Sequence, residues 1–465
     1  MELLSHTTNY KGSFPDKRLE KRASMIAQCL LLSKSASVHG ATQHEAEQKG
    51  FYRFLENERV TEDILIKELS NRCSKNVVNR DITVIQDSSS FGLNHNEKNI
   101  KQGSGVGFVG NKKGVGFLAH CSLVIDTNSE TMLGFSDVQL WHRTKDKANN
   151  TTKAYKKQLI EEKESYKWIK ASKQTKELLT RAKSITIIED REGDIYEQFC
   201  SIPDEKTQLL IRNRDNRRLK GGARLHDVLK QEKPLGKYEI ALYGDIRKEK
   251  VKRVATVEVK AIAVTIQKPT SVKSKDAPDQ LNVYAVEVQE KRSNHKDKIC
   301  WRILTTHVIE TYEQAVAIVD KYKLRWYIEQ LFRLLKKQGF QIEDTQLETG
   351  WAIRKLLVLL LNAGLRIMQL YLAYDVEESQ PLEEVFDKEE IKCLQTIADK
   401  QIKKTPKTTN PFNSQKLSWA SWIIARLGGW KGNNKQRKAG PIIIKRGLEK
   451  FEMIYEGWKM AKNST

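Results

Sequence analysis

Hydrophobic and polar positions change period along the chain. In FPDKRLEKRASMIAQCLLL, Leu19, Met25, Ile26 and Leu30 recur at roughly helical spacing, with Lys17, Arg18, Lys21 and Arg22 on the polar side. EAEQKGFYRFLENERVTEDILIKEL continues with Phe51, Phe54, Leu55, Ile64, Ile66 and Leu69, so a small helical module with basic faces is expected. From about residue 80 the pattern turns β-branched: ITVIQD stops at Asp87 and SSSFG reads as a turn. GVGFLAHCSLVID and TMLGFSDVQLWH then read as two strands of a hairpin turning at DTNSE. A charged helix is expected over 150–183, followed by the strand SITIIED, which ends at Asp190.

Short β-rich pieces fill the region 205–307: TQLLIRN, KYEIALYG, KRVATVEVKAIAVTIQ, LNVYAVEVQE and ICWRILTTH. They read as a β insertion or subdomain. Helix resumes at TYEQAVAIVDKYKLRWYIEQLFRLLKK and runs through WAIRKLLVLLLNAGLRIMQLYLAY. The acidic EESQPLEEVFDKEE reads as a linker, and the remainder as helical with a basic, glycine-broken stretch, RLGGWKGNNKQRKAGP. Strands, a helix and a further strand in that order predict a mixed α/β protein.

Composition narrows the function. A chain of 465 residues predicts two or three units, and 39% hydrophobic residues excludes a disordered chain. The 81 Lys and Arg against 59 Asp and Glu leave a charge of +22, which suggests a polyanionic partner without choosing which nucleic acid. Six scattered cysteines without a C-x-x-C pair speak against structural zinc and a disulfide framework. MELLSHTTNYKG lacks a signal pattern, and the apolar run Leu356 to Leu361 is shorter than the ~18 residues that span a bilayer. A soluble, cytoplasmic protein with no membrane partner is the expectation.

The candidate chemistry lies in three acids. Asp87 and Asp190 each end a β run, and neighbouring strands can bring such ends side by side. Glu189 faces the other side of its strand, and Glu192 and Asp194 lie in the turn beyond, either supporting the site or solvated. Tyr322, Arg325, Glu329 and Lys336 fall on one face of a regular helix. Such a face is a poor core and suits a phosphate backbone, with Glu329 as a hard oxygen ligand for Mg²⁺ beside it. Three carboxylates and substrate phosphates can hold two divalent ions ~3.5–4 Å apart. The alternative is an exposed ion-paired helix, Glu329 with Arg325 and Arg333.

Together these residues resemble the DDE transposases of bacterial cut-and-paste insertion sequences, most of all the Tn-five type of the IS-four group. The resemblance is carried by DKRLEKR, FYRFLENERV, DSSS, DREGDIY, the tetrad Tyr322, Arg325, Glu329 and Lys336 around RWYIEQLF, and IARLGGW. It implies an RNase H-like mixed-sheet catalytic core over 73–373, with a β-rich insertion at about 213–307. A helical DNA-end-binding domain over 1–72 and a helical dimerisation domain over 374–465 would flank it.

By the same resemblance Asp87, Asp190 and Glu329 are the catalytic metal ligands for two Mg²⁺ ions, with Mn²⁺ acceptance left open. Tyr322 and Arg325 would hold the displaced backbone at a hairpin stage, and Lys336 would contact the transposon-end phosphates. Trp301 would stack on a flipped base, although a core Trp beside Cys300 and Ile303 is the alternative. Arg212 would line the same pocket, and Arg18 and Arg22 fall in the end-binding segment. The implied partners are double-stranded DNA, both transposon ends and target, and a second copy of the chain when DNA is bound. A DNA-binding protein without catalysis and a stand-alone nuclease are the competing readings. The intact acids weigh against the first, and the two flanking helical regions against the second.

Overall fold

A computed structural model describes residues 8–463, apart from 33–35, 39–41, 43, 110–113, 145–157, 243–252, 292–297, 375, 377–378, 401–408 and 432–438. The chain forms two compact units, each assembled from separated stretches. Met1–Asp81, Ser88–Asn149 and Ile328–Thr465 make the first, and Ile82–Asp87 with Asn150–Tyr327 the second.

Helices α1 (Lys17–Leu32), α2 (Glu45–Glu56) and α3 (Glu62–Asn76) open the chain. Strands β1 (Asp81–Gly92), β2 (Gly107–Phe108), β3 (Val115–Asp126) and β4 (Met132–Trp141) follow. Then come α4 (Tyr166–Leu178), β5 (Ser184–Glu189), α5 (Tyr196–Ser201), β6 (Thr207–Arg212) and α6 (Leu225–Gln231). Four strands succeed them: β7 (Gly236–Leu242), β8 (Arg253–Gln267), β9 (Gln280–Gln289) and β10 (Cys300–Thr305). The remaining helices are α7 (Tyr312–Lys323), α8 (Trp326–Arg333), α9 (Gly350–Ala373), α10 (Lys388–Lys400), α11 (Leu417–Leu427) and α12 (Pro441–Asn463).

In the first unit β2, β3 and β4 pair antiparallel. The expected turn at DTNSE forms because Asp126 Oδ1 accepts from the Asn128 and Ser129 N–H groups, both at 2.9 Å. Helix α9 is apolar on nearly every face and is packed around by α1, α2, α3, α11 and α12. Its 24 residues are long and apolar enough to cross a membrane, which the six-residue run Leu356–Leu361 alone does not reveal. However, 83% of its apolar window is buried, as in the core helix of a globular unit. The acidic stretch expected as a linker instead supplies buried partners: Glu384 lies 3.6 Å from Arg80, and Glu390 2.6 Å from Arg366.

The second unit is a sheet in the order β1-β5-β6-β10-β9-β8-β7. β5 and β6 run parallel, and the pairings from β6 through β10, β9 and β8 to β7 are antiparallel. Strands made of β-branched residues suit this pleated surface, and Ile188, Leu210, Val257, Val286 and Ile303 form its core with Val319 of α7. Thr311 and Gln314 make a capping box that starts α7.

Three further expectations need correction. SSSFG is strand rather than turn: β1 runs 12 residues, so Asp87 lies within it and not at its end. The continuation is anchored where Ser88 Oγ meets His120 Nδ1 at 2.9 Å and Phe91 stacks on Phe117. Asp87 instead marks the point where β1 passes from fully buried to half-exposed. Second, the helix through Tyr322 and Lys336 is not continuous, for it breaks at Leu324 and Arg325 and becomes π-helical over Leu334–Gln338. Tyr322 and Leu324 are both buried, and positions two apart on a regular helix, about 200° around, cannot share one core. Third, α4 begins only at Tyr166, while residues 150–157 of the expected helix and 432–438 of the basic stretch lie outside the described residues.

Candidate active site

The site is built outward from two strands whose sequences rhyme, ITVIQD and SITIIED. Each is a buried, mostly β-branched run with an amide or carboxyl residue, Gln86 or Glu189, immediately before an aspartate. Successive side chains of extended backbone alternate faces. Gln86 and Glu189 are accordingly fully buried, while Asp87 and Asp190 are half-exposed. β1 and β5 are neighbours in the sheet. Gln86 Nε2 and Glu189 Oε1 both bond the Ser172 hydroxyl, at 3.0 and 3.3 Å. The residue after each, Asp87 and Asp190, is therefore carried to neighbouring places on the other face.

Asp190 opens a 3₁₀ turn, Arg191–Gly193, and its Oδ1 accepts from the Glu192 N–H at 2.7 Å. Asp87 Oδ2 lies 3.4 Å from Arg325 Nη1, a long contact for an ion pair. Arg325 reaches it from the helix break, and its guanidinium also lies 5.9 Å from the Tyr322 ring centre. Tyr322 is buried and stands edge-on to Trp301 at 5.6 Å. Burial pushes the Tyr322 phenol up, the Arg325 and Arg212 guanidiniums pull it back, and Asp190 adds to the rise. Arg212 sits at the end of β6, paired in register with Ile303 of β10. The second unit thus gathers Asp87, Asp190, Tyr322, Arg325, Arg212 and Trp301. Trp301 is half-buried against the core cluster, so it satisfies the core reading on one side and keeps an exposed side.

Glu329 and Lys336 belong to the first unit. Glu329 is half-exposed in the first turn of α8. Lys336 lies in the π-helical segment with its Nζ 5.0 Å from the Phe91 ring centre. That segment closes at Gly339, where a Cβ would come within 2.3 Å of the Leu334 carbonyl oxygen. Arg18 is exposed beside Asp16 at 3.3 Å. Arg22 is half-buried across Gly50 of α2, where a Cβ would meet its Nη1 at 1.6 Å.

The other acids of DREGD separate clearly. Glu192 is exposed and lies 3.3 Å from Lys167. Asp194, expected at the surface or in support, is fully buried. It accepts from Asn213 Nδ2 at 3.0 Å, from the Arg214 N–H at 2.8 Å and from Arg217 Nε at 3.0 Å. Burial pushes the Glu189 carboxyl well above its ordinary range; Ser172 and Gln198 oppose the rise, and Asp190 and Asp194 add to it. Sequence reasoning missed Gln86, Ser172, Gln198 and Arg217. For Gln86 a signal exists, a lone amide inside an apolar strand, whereas nothing local marks the others.

Among the described residues no group of three or more His, Cys, Asp or Glu is gathered into a preformed ion site. The donors the second unit does supply fit a hard divalent cation: two half-exposed carboxylates, neighbours across the sheet, backed by buried hydrogen bonds.

Comparison with known proteins gives the context. Residues 9–60 match the model of a transposase DNA-binding family, and residues 79–363 that of the transposase DDE domain. Among solved structures, the chain is similar to a piggyBac transposase in a synaptic complex with hairpin DNA. The identity is 8%, over 95% of this chain and 72% of that one, with a TM-score of 0.38.

Proposed function

The chain belongs to the DDE transposase family, and on that premise we propose that it is a cut-and-paste DNA transposase of the Tn-five, IS-four type. In this reading it binds the terminal repeats of its element, nicks them, excises the element through a hairpin, and joins the freed 3′-OH ends to target DNA. The core is RNase H-like over 73–373, with end binding by 1–72 and dimerisation through 374–465. The observation that carries the reading is that Asp87 on β1 and Asp190 just past the end of β5 come from neighbouring strands, with Arg325 beside Asp87 and Tyr322, Arg212 and Trp301 close by.

Asp87, Asp190 and Glu329 would hold the Mg²⁺ ions, which when bound supply a Lewis acid for phosphoryl transfer. The protein's own part is positioning and charge. Arg325, drawn from Asp87 by an incoming phosphate, offers a planar, bidentate grip on the backbone. Trp301, braced edge-on by Tyr322, offers a flat face for an unstacked base. Lys336 brings a point charge to the transposon end, and Arg18 with Arg22 adds charge on α1.

The test is a labelled duplex spanning the element's end and flank, incubated with the full-length protein and Mg²⁺ and run on a denaturing gel. A nick that matures into a hairpin-sized product is expected. Binding without strand breakage in either Mg²⁺ or Mn²⁺ would refute the reading and leave a non-catalytic DNA-binding protein.

A further inference from the structure

Behind the two aspartates lies a polar network with no contact to bulk water. Gln86, Ser172, Glu189 and Gln198 are each fully buried, one on each of four elements: β1, α4, β5 and α5. The Ser172 hydroxyl is the hub. It accepts from Gln86 Nε2 at 3.0 Å and from Gln198 Nε2 at 2.9 Å, and donates to Glu189 Oε1 at 3.3 Å. Gln198 Nε2 also donates to Glu189 Oε1. Burying four polar side chains is costly unless they bond one another, and an apolar set would fill the same space at less risk.

Two features tie this cluster to the site rather than to the core at large. Gln86 and Glu189 are the residues immediately before Asp87 and Asp190, so fixing them fixes where the next side chain emerges on the other face. The turn that holds Asp190 also rests on Glu189: a Cβ on Gly193 would lie 2.1 Å from Glu189 Oε2 and 2.7 Å from its Cβ. That close seating places the Glu192 N–H on Asp190 Oδ1. Glu189 therefore steers Asp190 twice, along the strand and through the turn.

We propose that Gln86, Ser172, Glu189 and Gln198 are positioning residues that lock β1 to β5 so that Asp87 and Asp190 present their carboxylates to one divalent cation. The inference rests on the proposed role of the two aspartates as metal ligands. Its members act through those aspartates and touch neither ion nor DNA. Partners of this kind typically change metal affinity or activity about 10–100-fold when removed.

The experiment uses the full-length protein and three variants: Ser172→Ala, which removes the hub, Ser172→Thr, which keeps its hydroxyl, and Gln198→Met, which removes the amide at similar volume. Mn²⁺ binding is followed by electron paramagnetic resonance on the protein alone. The Mg²⁺ concentration for half-maximal nicking, duplex affinity and melting temperature are measured on the same preparations. Ser172→Ala and Gln198→Met are expected to bind Mn²⁺ about 10-fold more weakly and to need about 10-fold more Mg²⁺. Duplex affinity is expected to hold, and Ser172→Thr to recover most of the loss. Mn²⁺ affinity equal to wild type in whichever of the two disrupting variants folds would overturn the network. Wild-type protein that neither binds Mn²⁺ nor nicks would instead sink the parent reading, so the two failures are distinguishable.

Discussion

Asp190 and Asp194 bracket the same short stretch, DREGD, yet their surroundings are opposite. Asp190 is half-exposed and takes one backbone donor on Oδ1, whereas Asp194 is buried beneath Arg217, Asn213 and the Arg214 N–H. The same contrast divides the region. Asp87 and Arg325 belong with the open group, half-exposed, while Glu189 and Asp194 belong with the closed one, fully buried. An acid whose lone pairs are filled by the protein organises the chain around it. An acid left partly open at the surface keeps the capacity to bind something else.

The sharpest way to break this comparison is to remove acids from the open group. Asp190→Ala, Asp87→Ala and Glu329→Ala are each expected to lower single-turnover nicking by about 10³-fold or more, since a bound ion is worth several kcal/mol. End binding, followed by gel shift, should be largely retained. Cleavage at wild-type rate in any one would remove that residue from the site.

The closed group should fail differently. Arg217→Ala strands the buried Asp194 carboxylate and is expected to destabilise the second unit by about 3–5 kcal/mol in urea unfolding. A midpoint equal to wild type would mean that the pair is not holding the 213–217 stretch. Trp301→Ala tests the border between the groups. A lost base–aromatic stack is worth about 1–3 kcal/mol and should slow hairpin formation more than first nicking. Equal losses at both steps would return Trp301 to the core.

A smaller effect concerns His307, whose Nε2 meets Thr186 Oγ1 at 3.0 Å. Burial, with Lys321 adding to it, pushes this imidazole down from 6.5 to about 4. A depressed histidine is neutral in the fold and protonated first in the unfolded chain. Its contribution is therefore present above pH 6.5 and is lost as the pH falls toward 4. His307→Gln should flatten that acid limb, with a difference on the order of 1–2 kcal/mol near pH 5. Parallel pH profiles for the two proteins would contradict the assignment. Least of all, Arg18→Ala should weaken end binding modestly and reduce the salt slope by about 1, because Arg18 is exposed beside Asp16. An unchanged slope would take Arg18 out of the DNA contact.

Much of this was legible in the sequence, and the gaps have physical causes. The strands ITVIQD and SITIIED declare themselves by β-branched runs, and the hairpin by DTNSE between GVGFLAHCSLVI and TMLGFSDVQLWH. Asp87 reads as a strand end because three serines resemble a turn locally, whereas Phe91 on Phe117 and Ser88 on His120 carry the strand onward. The break at Leu324–Arg325 was hidden because helical spacing describes one element, and the break follows from what Tyr322 and Leu324 must both bury. Ser172 and Arg217 carried no local mark at all. Their roles come from partners far along the chain, Gln86 for the one and Asp194 for the other.

The most direct test compares Asp190→Ala with Asp194→Asn on one labelled end duplex, measuring affinity, nicking with saturating Mg²⁺ and melting temperature together. Asp190→Ala is expected to bind and stay folded but not to nick. Asp194→Asn is expected to nick in proportion to the folded protein that remains. A nicking Asp190→Ala, or a stable, DNA-bound Asp194→Asn devoid of cleavage, would contradict the division between open and closed acids.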